Sequence, residues 1–78
     1  MRAGIQKYSV SISGHKTSIT LEPVFWSELC SLASQQGRSP SSLIRFIDST
    51  RGEQNLSSAI RVYILKNYID KQKQNFPD

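Results

Sequence analysis

Three side chains two residues apart, Lys16, Ser18 and Thr20, make up the most suggestive chemistry in this chain. Alternate residues of an extended backbone share a face, so these three form a short row of hydrogen-bonding groups with one fixed positive charge. Thr17, Ile19 and Leu21 fall on the opposite face. An ammonium and two hydroxyls suit contacts to nucleic-acid base edges or phosphates, and taken alone they equally describe a solvated strand face. Other chemistry is thinly supplied. The chain has one histidine, His15, and one cysteine, Cys30, too few for a metal-ligand set. No Ser/His/Asp or Cys/His set is suggested, no glycine-rich phosphate loop occurs, and the six acidic residues are scattered. Neither an enzyme nor a cofactor is expected.

The elements that must hold this row are limited by the size of the chain. Its 78 residues suffice for one domain with a thin core, a situation in which small proteins often gain stability by associating. Apolar residues make up 37%, which suits a folded domain, and no apolar run approaches the roughly 20 residues of a membrane span. The opening MRAGIQKYSV lacks the apolar stretch of a secretory signal, and the lone cysteine cannot form an internal disulfide; both point to the cytoplasm. The net charge is +4, and residues 1–21 contain Arg2, Lys7, His15 and Lys16 but no acid. That bias favours a polyanionic partner, with ordinary solubility as the competing explanation. The chain shows no internal repeat and no low-complexity tract beyond a general richness in serine.

Three helices follow the strand. Pro23 suits a first helical turn, and Phe25, Leu29, Leu32 and Ala33 recur at helical spacing up to about Gln36, with Trp26 and Cys30 beside them and Gly37 as the stop. Ser39 is placed to cap a second helix beginning at Pro40 and ending near Ser49, with Leu43, Ile44, Phe46 and Ile47 as its apolar side. After the loop TRGEQ, Asn55 caps a third helix running from Leu56 to about Lys73. Its apolar set, including Ala59, Ile60, Val62, Tyr63, Ile64, Leu65, Tyr68 and Ile69, is too wide for one stripe and implies burial on two sides.

A single strand needs a partner, and two are available. Tyr8, Val10 and Ile12 also alternate, and a two-residue turn at Gly14-His15 would set Ile12 opposite Thr17, Val10 opposite Ile19 and Tyr8 opposite Leu21. Alternatively the strand pairs with its own copy from a second chain. Two-fold symmetry would then place Thr17, Ile19 and Leu21 over a shared core and double Lys16, Ser18 and Thr20 into a polar ridge that fits the major groove of B-DNA.

The order of strand, helix, Gly37-Arg38-Ser39 turn and helix resembles the ribbon-helix-helix DNA-binding proteins of the Arc and MetJ type, and more closely a bacterial branch with a third C-terminal helix. The residues carrying the resemblance are Gly14–Glu22 (GHKTSITLE), Phe25-Trp26, Gly37-Arg38-Ser39, Ile47-Asp48, Arg51-Gly52 and Asn55–Arg61 (NLSSAIR), in order across roughly residues 8–68. The resemblance implies a mainly α fold with one short β-strand, in an intertwined homodimer whose antiparallel ribbon is built from two chains. Residues 1–14 would be a basic arm, 15–73 the domain and 74–78 a tail.

It further implies a sequence-specific DNA-binding transcriptional regulator, of repressor type. Lys16, Ser18 and Thr20 would contact bases, and Ser39, Ser41, Ser42, Arg38, His15 and Lys7 would contact phosphates. The dimer core would hold Thr17, Ile19, Leu21, Phe25, Trp26, Leu29, Ile44, Ile47, Ile60 and Tyr63. The partners are double-stranded DNA and a second copy, with a toxin or other protein as the alternative and no membrane.

Overall fold

The computed structural model describes residues 4–75, with side chains through Gln72. Two strands, β1 (Gln6–Ile12) and β2 (His15–Leu21), are followed by α1 (Pro23–Gln35), α2 (Pro40–Thr50) and α3 (Leu56–Asn75). The expected order of elements is present, including the third helix. The structure differs from the expectation in the number of strands and in the partner of β2.

β2 pairs antiparallel with β1 of its own chain, in the register Gln6↔Leu21, Tyr8↔Ile19, Val10↔Thr17 and Ile12↔His15. The one short strand of the sequence reading is therefore a hairpin, and residues 6–12 of the expected arm are strand. The turn is Ser13-Gly14, one residue earlier than Gly14-His15, because both Ser13 (φ 52°) and Gly14 (φ 82°) are left-handed, as a two-residue type I′ turn requires. Moving the turn by one residue shifts the cross-strand partners by two, which keeps every side chain on its expected face. A turn this short costs little closure entropy, whereas a second chain would have to be captured from solution.

The inner face of the hairpin covers the helices. Val10, Ile19 and Leu21 are buried together with Leu29, Leu32, Ala33, Leu43, Ile44, Ile47, Ala59, Ile60 and Ile64. Tyr8, Ile12, Phe25, Trp26, Leu56 and Tyr63 pack against this cluster. Tyr8 stacks on Trp26 with ring centroids 4.2 Å apart and planes 6° from parallel, which fixes β1 on α1. Of the residues expected in a dimer core, Ile19, Leu21, Leu29, Ile44, Ile47 and Ile60 are thus buried within one chain, Phe25, Trp26 and Tyr63 lie at its margin, and Thr17 is half-buried. The physical reason is β1, whose apolar face contributes Tyr8, Val10 and Ile12 to the same core.

The helix ends follow the sequence closely. Gly37, at φ 70°, ends α1 with the paired bonds Arg38 N–H to Ala33 O (2.9 Å) and Gly37 N–H to Ser34 O (3.0 Å). Ser58 N–H donates to Asn55 Oδ1 at 3.2 Å, so Asn55 caps α3. α2 runs one residue past the expected end, to Thr50, where Arg51 pairs with Asp48 at 2.6 Å.

Candidate nucleic-acid interface

With Tyr8, Val10, Ile12, Thr17, Ile19 and Leu21 turned inward, the alternation leaves Lys7, Ser9, Ser11, Lys16, Ser18 and Thr20 on the outer face, all six exposed. They stand in three cross-strand pairs: Lys7 with Thr20, Ser9 with Ser18, and Ser11 with Lys16. The face thus carries two ammonium groups and four hydroxyls and no carboxylate. Neither lysine has a salt-bridge partner among the described residues. The structure keeps Lys16, Ser18 and Thr20 together as expected and joins Lys7 to them. Ser9 and Ser11 were missed by the sequence reading. The signal was the alternation of Tyr8, Val10 and Ile12, which fixes Ser9 and Ser11 on the opposite face once those residues are accepted as strand.

The free edge of β2 is tied down at one point, where Thr20 N–H donates to Ser57 Oγ at 3.2 Å. β2 is thus flanked by β1 on one side and held at Thr20 by the first turn of α3 on the other. α3 is anchored nearby, since Arg61 Nε donates to Glu22 Oε1 at 3.0 Å. The Glu22 carboxyl is held below the usual carboxylate range by hydrogen bonding to its own backbone N–H and by the Arg61 bond.

The amino terminus of α2 gathers Arg38, Ser39, Ser41 and Ser42 as expected, but directs most of their bonding inward. Ser39 Oγ accepts the Ser42 N–H at 3.1 Å. Arg38 folds over the turn, with Nε donating to Ser42 Oγ (3.1 Å), Nη2 to Ser42 O (3.2 Å), and its guanidinium 5.6 Å from the Phe46 ring centre. Pro40 has no N–H, so Ser41, whose N–H has no hydrogen-bond partner among the described residues, keeps the free donor of this turn. His15 takes the inner-face parity of β2, opposite to that of Lys16, and lines a polar groove with Ser13, Ser18, Asp48, Arg51 and Asn55.

A second surface is apolar. Val24 on α1 and Val62, Leu65 and Tyr68 on α3 line an open groove of about 440 Å³, with Val24 65%, Leu65 55% and Tyr68 58% exposed. This is the outward side of the helix whose apolar girth the sequence had suggested. Ile69 extends it. Among the described residues no group of three His, Cys, Asp or Glu side chains could hold a metal ion, and no helix is long and apolar enough to cross a membrane.

A family model described as a ribbon-helix-helix domain matches residues 5–68. Among solved structures, an uncharacterized protein from Bordetella pertussis Tohama I is similar over 96% of this chain, with a TM-score of 0.80 and 29% sequence identity. This chain spans 64% of that one, less than two thirds of its length. No curated protein matches.

Proposed function

Because this chain belongs to the ribbon-helix-helix family, a non-enzymatic family of DNA-binding regulators and related small proteins, we propose that it is a sequence-specific transcriptional regulator acting as a repressor on bacterial DNA. The observation that carries this reading is the outer face of the hairpin, exposed, acid-free and bearing a lysine at each end of a row of hydroxyls. A two-stranded ribbon has the width of the major groove, where lysine donates to guanine O6 and N7 and a hydroxyl serves donors and acceptors alike. Lys16, Ser18 and Thr20 are the proposed base contacts. Ser41, with its free N–H at the start of α2, is the best placed of the proposed phosphate contacts, and Ser39, Ser42, Arg38, His15 and Lys7 add hydroxyls and charge around it.

The family generally binds DNA as dimers, and the exposed apolar groove between α1 and α3 supports a homodimer here. The same groove favours the second reading, a small adaptor or antitoxin that holds a partner protein there. Salt separates the two. If about four phosphates are neutralised, DNA affinity falls about 100-fold between 50 and 200 mM salt, whereas an apolar protein interface changes little. Mobility-shift titrations at these two salt concentrations are expected to show the steep loss. Failure to retard any duplex at the lower salt would overturn the regulator reading.

A further inference from the structure

The two strands of the hairpin resemble each other, most closely on the outer face. β1 reads QKYSVSI and β2 reads HKTSITL. Displaced by nine residues, Lys7 falls on Lys16, Ser9 on Ser18, Val10 on Ile19, Ser11 on Thr20 and Ile12 on Leu21. This is an internal repeat after all, too short to stand out until the strand bounds are known.

Its register gives the repeat a meaning. The pairs Lys7↔Thr20, Ser9↔Ser18 and Ser11↔Lys16 map onto one another under a two-fold axis midway between Ser9 and Ser18. On the inner face the same axis carries Val10 onto Ile19 but Tyr8 onto Thr17, so the likeness is held best by the outer face. Antiparallel pairing of identical strands from two chains would generate this symmetry automatically. Here one chain generates it by repeating the strand after a two-residue turn. A solvated face has no need for lysines at symmetric ends of the ribbon, on opposite strands, flanking a central pair of serines.

We propose that the hairpin is a complete, quasi-symmetric reading unit carried by one chain, in which Lys7, Ser9 and Ser11 read bases as the two-fold mates of Lys16, Ser18 and Thr20. This rests on the DNA-binding reading above and adds to it the β1 residues and the symmetry of the target. The two lysines are four residues apart along the ribbon, about 13 Å at 3.3 Å per residue, which matches about four base pairs. The preferred site is therefore a short inverted repeat with lysine-read guanines on opposite strands, about four base pairs apart.

Two experiments test this, the first without DNA. Ser9 and Ser18 lie directly opposite in the hairpin. The pair flanking a two-residue turn is hydrogen-bonded, and alternation makes Ser9 and Ser18 a close, non-hydrogen-bonded pair within disulfide range. In a Cys30→Ser background, Ser9→Cys with Ser18→Cys is expected to oxidise to an intrachain disulfide that runs as a single chain on a denaturing non-reducing gel. Ser18→Cys without Ser9→Cys is expected to leave chains unlinked. Chain-to-chain linkage through Ser18→Cys, or failure of the double variant to close, would overturn the one-chain ribbon.

In the second, a duplex selected from a random pool by the unaltered protein is challenged with scrambled duplex. Lys7→Ala/Ser9→Ala/Ser11→Ala and Lys16→Ala/Ser18→Ala/Thr20→Ala are each expected to lose roughly tenfold or more of the preference, each for a different half of the site. Lys7→Gln and Lys16→Gln, which keep their aliphatic stems and guard against unfolding, are expected to shift preference by similar factors. Loss confined to the β2 variants would overturn the inference and leave the DNA-binding reading standing. If the unaltered protein selects no duplex although the Ser9–Ser18 disulfide forms, the DNA-binding reading fails and takes this inference with it.

Discussion

The intrachain pairing of β2 depends on the turn at Ser13-Gly14, and two substitutions there change stability in opposite directions. Ser13 sits at φ 52° and Gly14 at φ 82°. The left-handed region costs most L-residues about 1–2 kcal/mol, while asparagine visits it with little penalty and is favoured at the first position of a type I′ turn. Ser13→Asn should therefore stabilise by about 0.5–1 kcal/mol, and Gly14→Ala should destabilise by about 1–2 kcal/mol. A Cβ at Gly14 would meet no atom within 4 Å, so the second figure is backbone strain with no steric clash added. At about 4–8 °C per kcal/mol for a domain of this size, the melting temperature rises by about 2–8 °C in the first variant and falls by about 4–16 °C in the second. Thermal unfolding followed by circular dichroism measures both. A Gly14→Ala protein that melts with the unaltered one, or a Ser13→Asn protein that melts lower, would mean that this turn is not formed and that β2 finds its partner elsewhere.

Two further perturbations address the helical side. Leu65→Asp with Tyr68→Asp places charge on the exposed groove, and light scattering is expected to show the mass halved to that of one chain while the melt barely changes; an unchanged mass would move the dimer contact to another surface. The lowered pKa of Glu22 means that the contribution of its bond with Arg61 is fully present above the ordinary carboxylate pKa and is lost as pH falls through the lower, folded-state value. Urea midpoints across that acidic window should therefore fall less steeply for Glu22→Gln than for the unaltered protein, and parallel curves would count against the pair.

The helices were largely readable because their signals are local. Pro23, Gly37, Ser39 and Asn55 act within one turn of themselves, and each occupies the terminal position its chemistry suggests. The two faces of β2 were readable for the same reason, since alternation is a property of adjacent residues. The pairing was harder. Two strand partners were compatible with the pattern, and the choice depended on whether Ser13 would accept a left-handed conformation, which a serine rarely advertises. Losing β1 as a strand also removed Ser9 and Ser11 from the outer face. At the start of α2 the right residues were collected, but sequence alone could not reveal that Arg38 would lie over Phe46 and bond to Ser42.

The two-residue turn also sets a clock. A hairpin closes in about 1–10 μs, whereas two chains at micromolar concentration, associating at about 10⁵–10⁶ M⁻¹s⁻¹, meet productively about once per 1–10 s. A strand tethered to its partner by Ser13-Gly14 therefore completes its ribbon roughly a million times faster than one that must find a second molecule. The assembled face is then independent of how many copies the cell contains, so a newly made chain presents it before any second copy arrives.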